Sequence, residues 1–207
     1  PTTRVLTVVR TGETIRRDRP LPGALMSRVA ASHLRVGTFE YFSVRGQHEA
    51  MARLLRHAVA RHAPGLLEPG MGDGELALAF LGEVLRRQAA LVAQWLSVGF
   101  IHGVMNTDNM SIAGETIDFG PCAFMDAFDP GQVYSSIDSQ GRYAYANQPR
   151  IAQWNLARLA EALLPLLDDD EERAVELAQA SLARFGSRFD AAYERGLAEK
   201  LGLAETR

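Results

Sequence analysis

Within residues 101–120, IHGVMNTDNMSIAGETIDFG, two apolar flanks enclose uncharged loop formers, three acids and an Asp-Phe-Gly triplet. His102 and Gly103 open the stretch, and Asp118-Phe119-Gly120 begins nine residues after Asn109. A carboxamide and a carboxylate thus arrive at the end of one loop and the start of the next. Hard oxygen donors of this kind suit magnesium, which takes one or two protein carboxylates, substrate phosphates and several waters. The chemistry implied is phosphate chemistry on a nucleotide.

A long helix must deliver this loop. Residues 75–98 carry an apolar stripe of Leu78, Leu81, Val84, Leu85, Val92, Trp95 and Leu96, with Asp73 as the expected N-cap and Gly99 as the stop. At about 1.5 Å per residue such a helix can run through the middle of a domain. Ahead of it, residues 3–10 read as a strand closed by a Thr11-Gly12-Glu13 turn, and residues 24–29 as a second strand after the Pro20-Leu21-Pro22-Gly23 punctuation. The two are expected to pair antiparallel. Residues 32–42 mix aromatics with Gly37 and lead into residues 47–62, where Met51, Leu54, Leu55, Ala58 and Val59 share one helical face.

Beyond the loop, residues 121–149 are rich in Asp, Gly, Ser and aromatics. Such a length is unusual for a structureless connection, and predicts function or short helices. Residues 154–167 read as a helix with Trp154, Leu156, Leu159, Leu163 and Leu166 toward the core. The acidic run 168–172 opens a further helix over 172–185, favourably for the helix dipole, and a last helix spans 188–201. Short strands followed by helices make the expected class α+β.

Composition narrows the function. The 207 residues, 47% hydrophobic and 23% charged, can bury a substantial core. A net charge of −3 gives no global field for nucleic acid, although local arginines can still bind phosphates. Cys122 is the one cysteine, which excludes an internal disulfide and a zinc cluster and points to a reducing, cytoplasmic setting. No apolar run approaches a membrane span. Lys200 is the single lysine among 22 basic residues, so no earlier lysine can hold a nucleotide's phosphates. The chain begins with Pro1 in what reads as mid-domain, and an excised fragment is expected.

HGVMNTDN followed by TIDFG is similar to the catalytic and metal loops of protein-kinase-like enzymes, in which His-x-Asp-x-x-x-x-Asn precedes Asp-Phe-Gly. His102 and Asn109 stand at the family spacing, but Val104 replaces the catalytic aspartate, and Asp108 is the carboxylate beside Asn109. A broader likeness covers almost the whole chain. LPGALMSRVAASHLRVGTFEYF, LVAQWLSVGFIHGVMNTDNMSIAGETIDFGP, FMDAFDP, QGRYAYANQP and WNLARLA closely resemble the selenoprotein O family, also called YdiU. That resemblance implies a pseudokinase-type protein adenylyltransferase, which moves AMP from ATP to Ser, Thr or Tyr hydroxyls of protein substrates. It implies residues 1–45 as the end of a small lobe and hinge, and residues 46–207 as a helical C-terminal lobe. By the same resemblance Asn109 and Asp118 hold magnesium (or manganese), and Asp108 is the candidate base. Arg28 and Arg35, with Asp118, contact ATP. The family's glycine-rich loop, lysine and paired glutamate have no match, and are expected upstream of Pro1. The chain alone is then expected to be inactive and to bind ATP weakly.

Blander readings stand beside these. Asp108 can cap a turn, and Arg28 and Arg35 can be surface arginines. His102 is expected to be structural, and His57 and His62, five apart, do not share a helical face as a metal pair would. Residues 70–74 follow no strand and read as a linker rather than a phosphate loop. Cys122, Trp95 and Trp154 read as core, while Asp138, Arg142, Tyr143 and Tyr145 could serve either substrate contact or loop packing. Two other functions remain open: a small-molecule kinase of the aminoglycoside-phosphotransferase type, against which Val104 argues, and a non-catalytic pseudokinase module that binds a partner.

Overall fold

A computed structural model describes residues 2–203. The architecture is α+β: an antiparallel hairpin of β1 (Arg4–Arg16) and β2 (Pro20–Val29), then α1 (Val36–Ser43), α2 (His48–His62) and α3 (Asp73–Ser97). The two-residue strands β3 (Phe100–Ile101) and β4 (Ala123–Phe124) bracket the polar loop, and α4 (Gln148–Leu167), α5 (Glu171–Leu182) and α6 (Phe185–Lys200) complete the chain.

The hairpin pairs as expected but turns elsewhere. Thr11-Gly12-Glu13 is a bulge inside β1 rather than the turn, and the pairing skips from Arg10↔Ala24 to Thr14↔Pro22 across it. Gly12 supplies the positive φ of +80°, and Gly23 lies buried beneath the bulge, where a Cβ would stand 2.8 Å from Thr11 Oγ1. The chain reverses at residues 17–19, and Pro20 and Pro22 sit within β2, whose outer side is unpaired and so requires no donor from them.

Helix α3 is the spine and packs against α4, α5 and α6. Its stripe is buried at Leu81, Val84, Leu85, Val92 and Trp95 as the period predicts, while Leu78 and Leu96 are half-buried. Its start differs from the expectation. Gly72 is the N-cap, Glu75 reaches back to accept from the Gly72 N–H, and Asp73 is the first helical residue, ion-paired to Arg56 of α2 at 2.6 Å. Gly99, at φ +69°, ends the helix.

Residues 32–42 yield a helix of their own, α1, whose Phe39 ring meets that of Phe80 of α3 at a tilt, with centroids 5.5 Å apart. Helix α4 begins six residues earlier than the period suggests, with Pro149 in its first turn, where a missing N–H costs nothing. Leu156, Leu159 and Leu163 are buried there, and Leu166 is half-buried. Trp154 is a correction: it is 41% exposed, because two arginine side chains rather than the core cover its indole. Asp170 caps α5 by accepting from the Glu172 and Arg173 N–H groups, and Phe185 is the buried first residue of α6 rather than the last of α5. The long segment after Gly120 carries a single 3₁₀ turn at Tyr145–Asn147. Among the described residues, no helix is long and apolar enough to cross a membrane.

Candidate active site

The polar loop leaves β3 and returns at β4, where Phe100 pairs with Phe124 and Ile101 with Ala123. This short ladder pins both ends of the loop at the C-terminal end of α3. Inside it, His102 is wholly buried, and its Nε2–H donates to Ile117 O at 2.8 Å. The carbonyl can only accept, so the proton is on Nε2, which leaves Nδ1 to face the Val104 N–H at 3.4 Å. Burial holds the His102 pKa below its ordinary value, against smaller raising effects from the Ile117 carbonyl and Asp118. The imidazole is thus a neutral strut tying residue 102 to residue 117, in line with its structural reading.

Three buried amides fasten the loop to the helices. Gln148 of α4 accepts from the His102 N–H at 3.0 Å and donates to Phe100 O at 2.9 Å. Asn155, two turns on, donates to Met105 O at 2.9 Å. Gln88 of α3 donates to Ser111 O at 2.6 Å. Sequence alone assigns none of the three a functional role. Their signal was a polar residue placed on an otherwise apolar helical face, as with Gln88 between Val84 and Val92.

The segment before α1 runs beside the loop. Val36 N–H donates to Met110 O at 3.0 Å and Ile112 N–H to Leu34 O at 3.1 Å, so Arg35 lies opposite Ser111. This pairing brings Arg35 to Asp108, with Nη2 3.9 Å from Oδ1. The pair is solvent-exposed, so its attraction adds little stability. Among the described residues, the buried Arg35 Nε meets no hydrogen-bond partner, an unspent donor beside the Asp108 carboxylate. Gly37, in the first turn of α1, lets that carboxylate approach: a Cβ there would overlap Asp108 Oδ1 and stand 3.0 Å from its Cγ.

Asn109 donates its Nδ2 to Val104 O at 2.9 Å, which orients the amide and leaves Oδ1 as its remaining acceptor. Asp118 is exposed and holds φ at +59°, the one non-glycine residue with positive φ among those described. Such backbone costs of order 1–3 kcal/mol and clusters where a side chain must be aimed. Arg28 of β2 places its guanidinium carbon 5.8 Å from the centroid of the Phe119 ring, next to Asp118. The carboxylate of Glu115 accepts from the Ala31 N–H at 2.8 Å and ties the end of β2 to the same loop. The structure therefore joins Arg35 to Asp108 and Arg28 to the Asp118-Phe119 segment, while Asn109 and Asp118 share no hydrogen bond. Cys122 is half-buried, not core, and lines an apolar cavity of about 560 Å³ with Trp95, Phe100, Phe119 and Phe124.

Fold and site together define an α+β protein in which a buried amide framework presents arginines, a carboxamide and two carboxylates from adjoining loops. The model of the family "Protein adenylyltransferase SelO" matches residues 1–207, and the chain belongs to that family. It is 61% identical over 207 residues to the protein nucleotidyltransferase YdiU of Methylorubrum extorquens, covering all of this chain and 41% of that protein. The Bradyrhizobium diazoefficiens protein of the same name is 61% identical over 203 residues (98% of this chain, 40% of the relative), and that of Rhodopseudomonas palustris 58% over 206 (100% and 41%). The chain thus spans about two fifths of the length of these curated relatives.

Proposed function

We propose that the full-length polypeptide carrying this chain is a protein adenylyltransferase that transfers AMP from ATP to Ser, Thr or Tyr hydroxyls of protein substrates. The observation that carries the reading is the approach of Arg35 to Asp108, with the strained Asp118 on the same loop, in a chain of this family. The acceptor hydroxyl oxygen attacks the α-phosphorus, the bond from that phosphorus to the bridging oxygen of the β-phosphate breaks, and pyrophosphate leaves. Asp108 takes the hydroxyl proton. Arg35, with its unspent Nε donor, and Arg28 neutralise phosphate oxygens, a task that suits the planar guanidinium fork.

Asn109 and Asp118 would hold magnesium or manganese, because a carboxamide oxygen and an exposed carboxylate are hard donors of the kind those ions take. When bound, the ion offsets charge developing on the phosphates. Positioning and electrostatic stabilisation account for most of the catalysis in transfer at phosphorus, and the absence of an acid at Val104 is tolerable. In this reading residues 46–207 form the helical lobe of a protein-kinase-like fold, residues 1–45 end its small lobe and hinge, and the protein works in the cytoplasm.

Isotope position tests the reaction. Label from α-phosphate-labelled ATP should enter protein in the presence of magnesium, and Asp118→Ala should abolish the incorporation. Label entering from the γ-phosphate would replace this reading with a kinase.

A further inference from the structure

The segment between Gly120 and α4 holds a second constellation that the transfer chemistry does not use. The Asp138 carboxylate accepts from the Arg142 N–H at 2.8 Å and the Tyr143 N–H at 2.7 Å, and Asn147 Nδ2 donates to Gly141 O at 2.7 Å. These bonds fix Arg142 at a cavity of about 270 Å³, lined by Gln140, Arg142, Asn147, Arg150, Ile151 and Trp154. The Arg142 guanidinium carbon stands 4.7 Å from the Trp154 ring centroid and that of Arg158 5.3 Å from it. The exposed Trp154 is followed directly on α4 by the wholly buried Asn155 and Leu156, so the indole is a plate at the helix shoulder.

Charge accounting separates the arginines. Arg158 is paired with Glu161, and Asp138 is occupied by backbone N–H groups. Among the described residues, neither Arg142 nor Arg150 is in an ion pair. Two uncompensated guanidiniums therefore share one pocket in a chain whose net charge is −3. Stacking on an indole fixes the plane of Arg142 and leaves its N–H edge for an anion, at a lower entropy cost than a freely rotating side chain. Two such cations, with the amides of Gln140 and Asn147 beside them, balance one or two carboxylates and leave a triphosphate undercompensated. Helix α4 also braces the loop that bears Asp108, through Gln148 and Asn155. A chain seated at Arg142 and Trp154 is thus held by the element that positions the proposed base.

We propose that the Arg142–Arg150–Trp154 pocket docks a carboxylate-bearing, acidic segment of the protein substrate, an inference that rests on the protein-substrate reading above. The probe is a fluorescein-labelled octaglutamate peptide, titrated by anisotropy against the full-length polypeptide at low salt and without nucleotide. Wild type should bind it, Arg142→Gln/Arg150→Gln should weaken binding at least tenfold, and Trp154→Ala should weaken it too, with thermal melts checking that each variant is folded. Undiminished binding by the folded double variant would overturn the proposal. So would equal binding of octalysine, or displacement of the peptide by inorganic tripolyphosphate, which would make the pocket a phosphate site. Because no ATP is present, loss of AMP transfer with retained Arg142-dependent peptide binding would sink the transfer reading alone.

Discussion

Asp108 and its neighbours show how much depends on single atoms. Gly37 is at the start of α1 because any Cβ there meets the Asp108 carboxylate. Gly37→Ala should swing that carboxylate off Arg35 while leaving the buried core untouched. Misplacing a catalytic group by about 1 Å can cost about a hundredfold, so the proposed AMP transfer by the full-length polypeptide should fall by between ten- and a hundredfold, with little change in melting temperature. Wild-type turnover in this variant would remove Asp108 from the mechanism. His102 makes a prediction in pH. Its folded pKa lies below the unfolded value near 6.5, so the stability it contributes is present above that value and is lost as pH falls through the folded pKa. Urea midpoints should drop between pH about 7.5 and about 5.5, and His102→Gln should show a shallower drop. An equal drop in both proteins would mean that other groups set the acid limit.

The elements were legible where burial follows a period and illegible where a local exception intervenes. Residues 75–98 declared α3 through an apolar stripe, and Gly99 marked its end. The hairpin turn lies elsewhere than expected because Thr11-Gly12-Glu13 has turn chemistry, yet Gly23 across the ladder leaves room for a bulge. Trp154 departs from its expected core position because an indole on a helical period looks like core, and sequence does not reveal that Arg142 and Arg158 reach it. The spacing of Asn109 and Asp118 was visible, whereas the amides that hold the loop were not, since each bond joins distant segments. Asn155 makes this measurable. Asn155→Leu keeps the helix but strips Met105 O of its buried donor, and an unsatisfied buried acceptor costs about 1–3 kcal/mol. Removal of the buried Asn155 Oδ1, unpaired among the described residues, places the loss at the lower end of that range. The urea midpoint should fall accordingly, and an unchanged midpoint would show that water replaces the amide.

On the scale of the whole molecule, the helical part and the hairpin are built differently. The helices close over one core that runs from Val36 to Phe185. In β1 and β2, Val5, Leu6, Val8, Val9, Leu25 and Met26 are exposed, and cross-strand neighbours such as Val8 with Met26 and Val9 with Leu25 put apolar side chains on both faces. A two-stranded ribbon with neither face covered is marginal in water. Strands apolar on both faces belong in sheets covered on both sides. Since this chain spans 41% of the length of its Methylorubrum extorquens relative, we propose that the rest of the full-length polypeptide covers the ribbon and extends its sheet. Amide hydrogen exchange decides the matter, because few buried contacts mean low-energy local opening. In the 207-residue chain, amides of β1 and β2 should exchange far faster than those of α3. In the full-length polypeptide they should slow by at least tenfold, while α3 changes little. Equal ribbon exchange in the two polypeptides would show that the apolar faces meet nothing within the protein, and Arg28, carried on β2, would then lack the rigid support that its proposed contact with ATP requires.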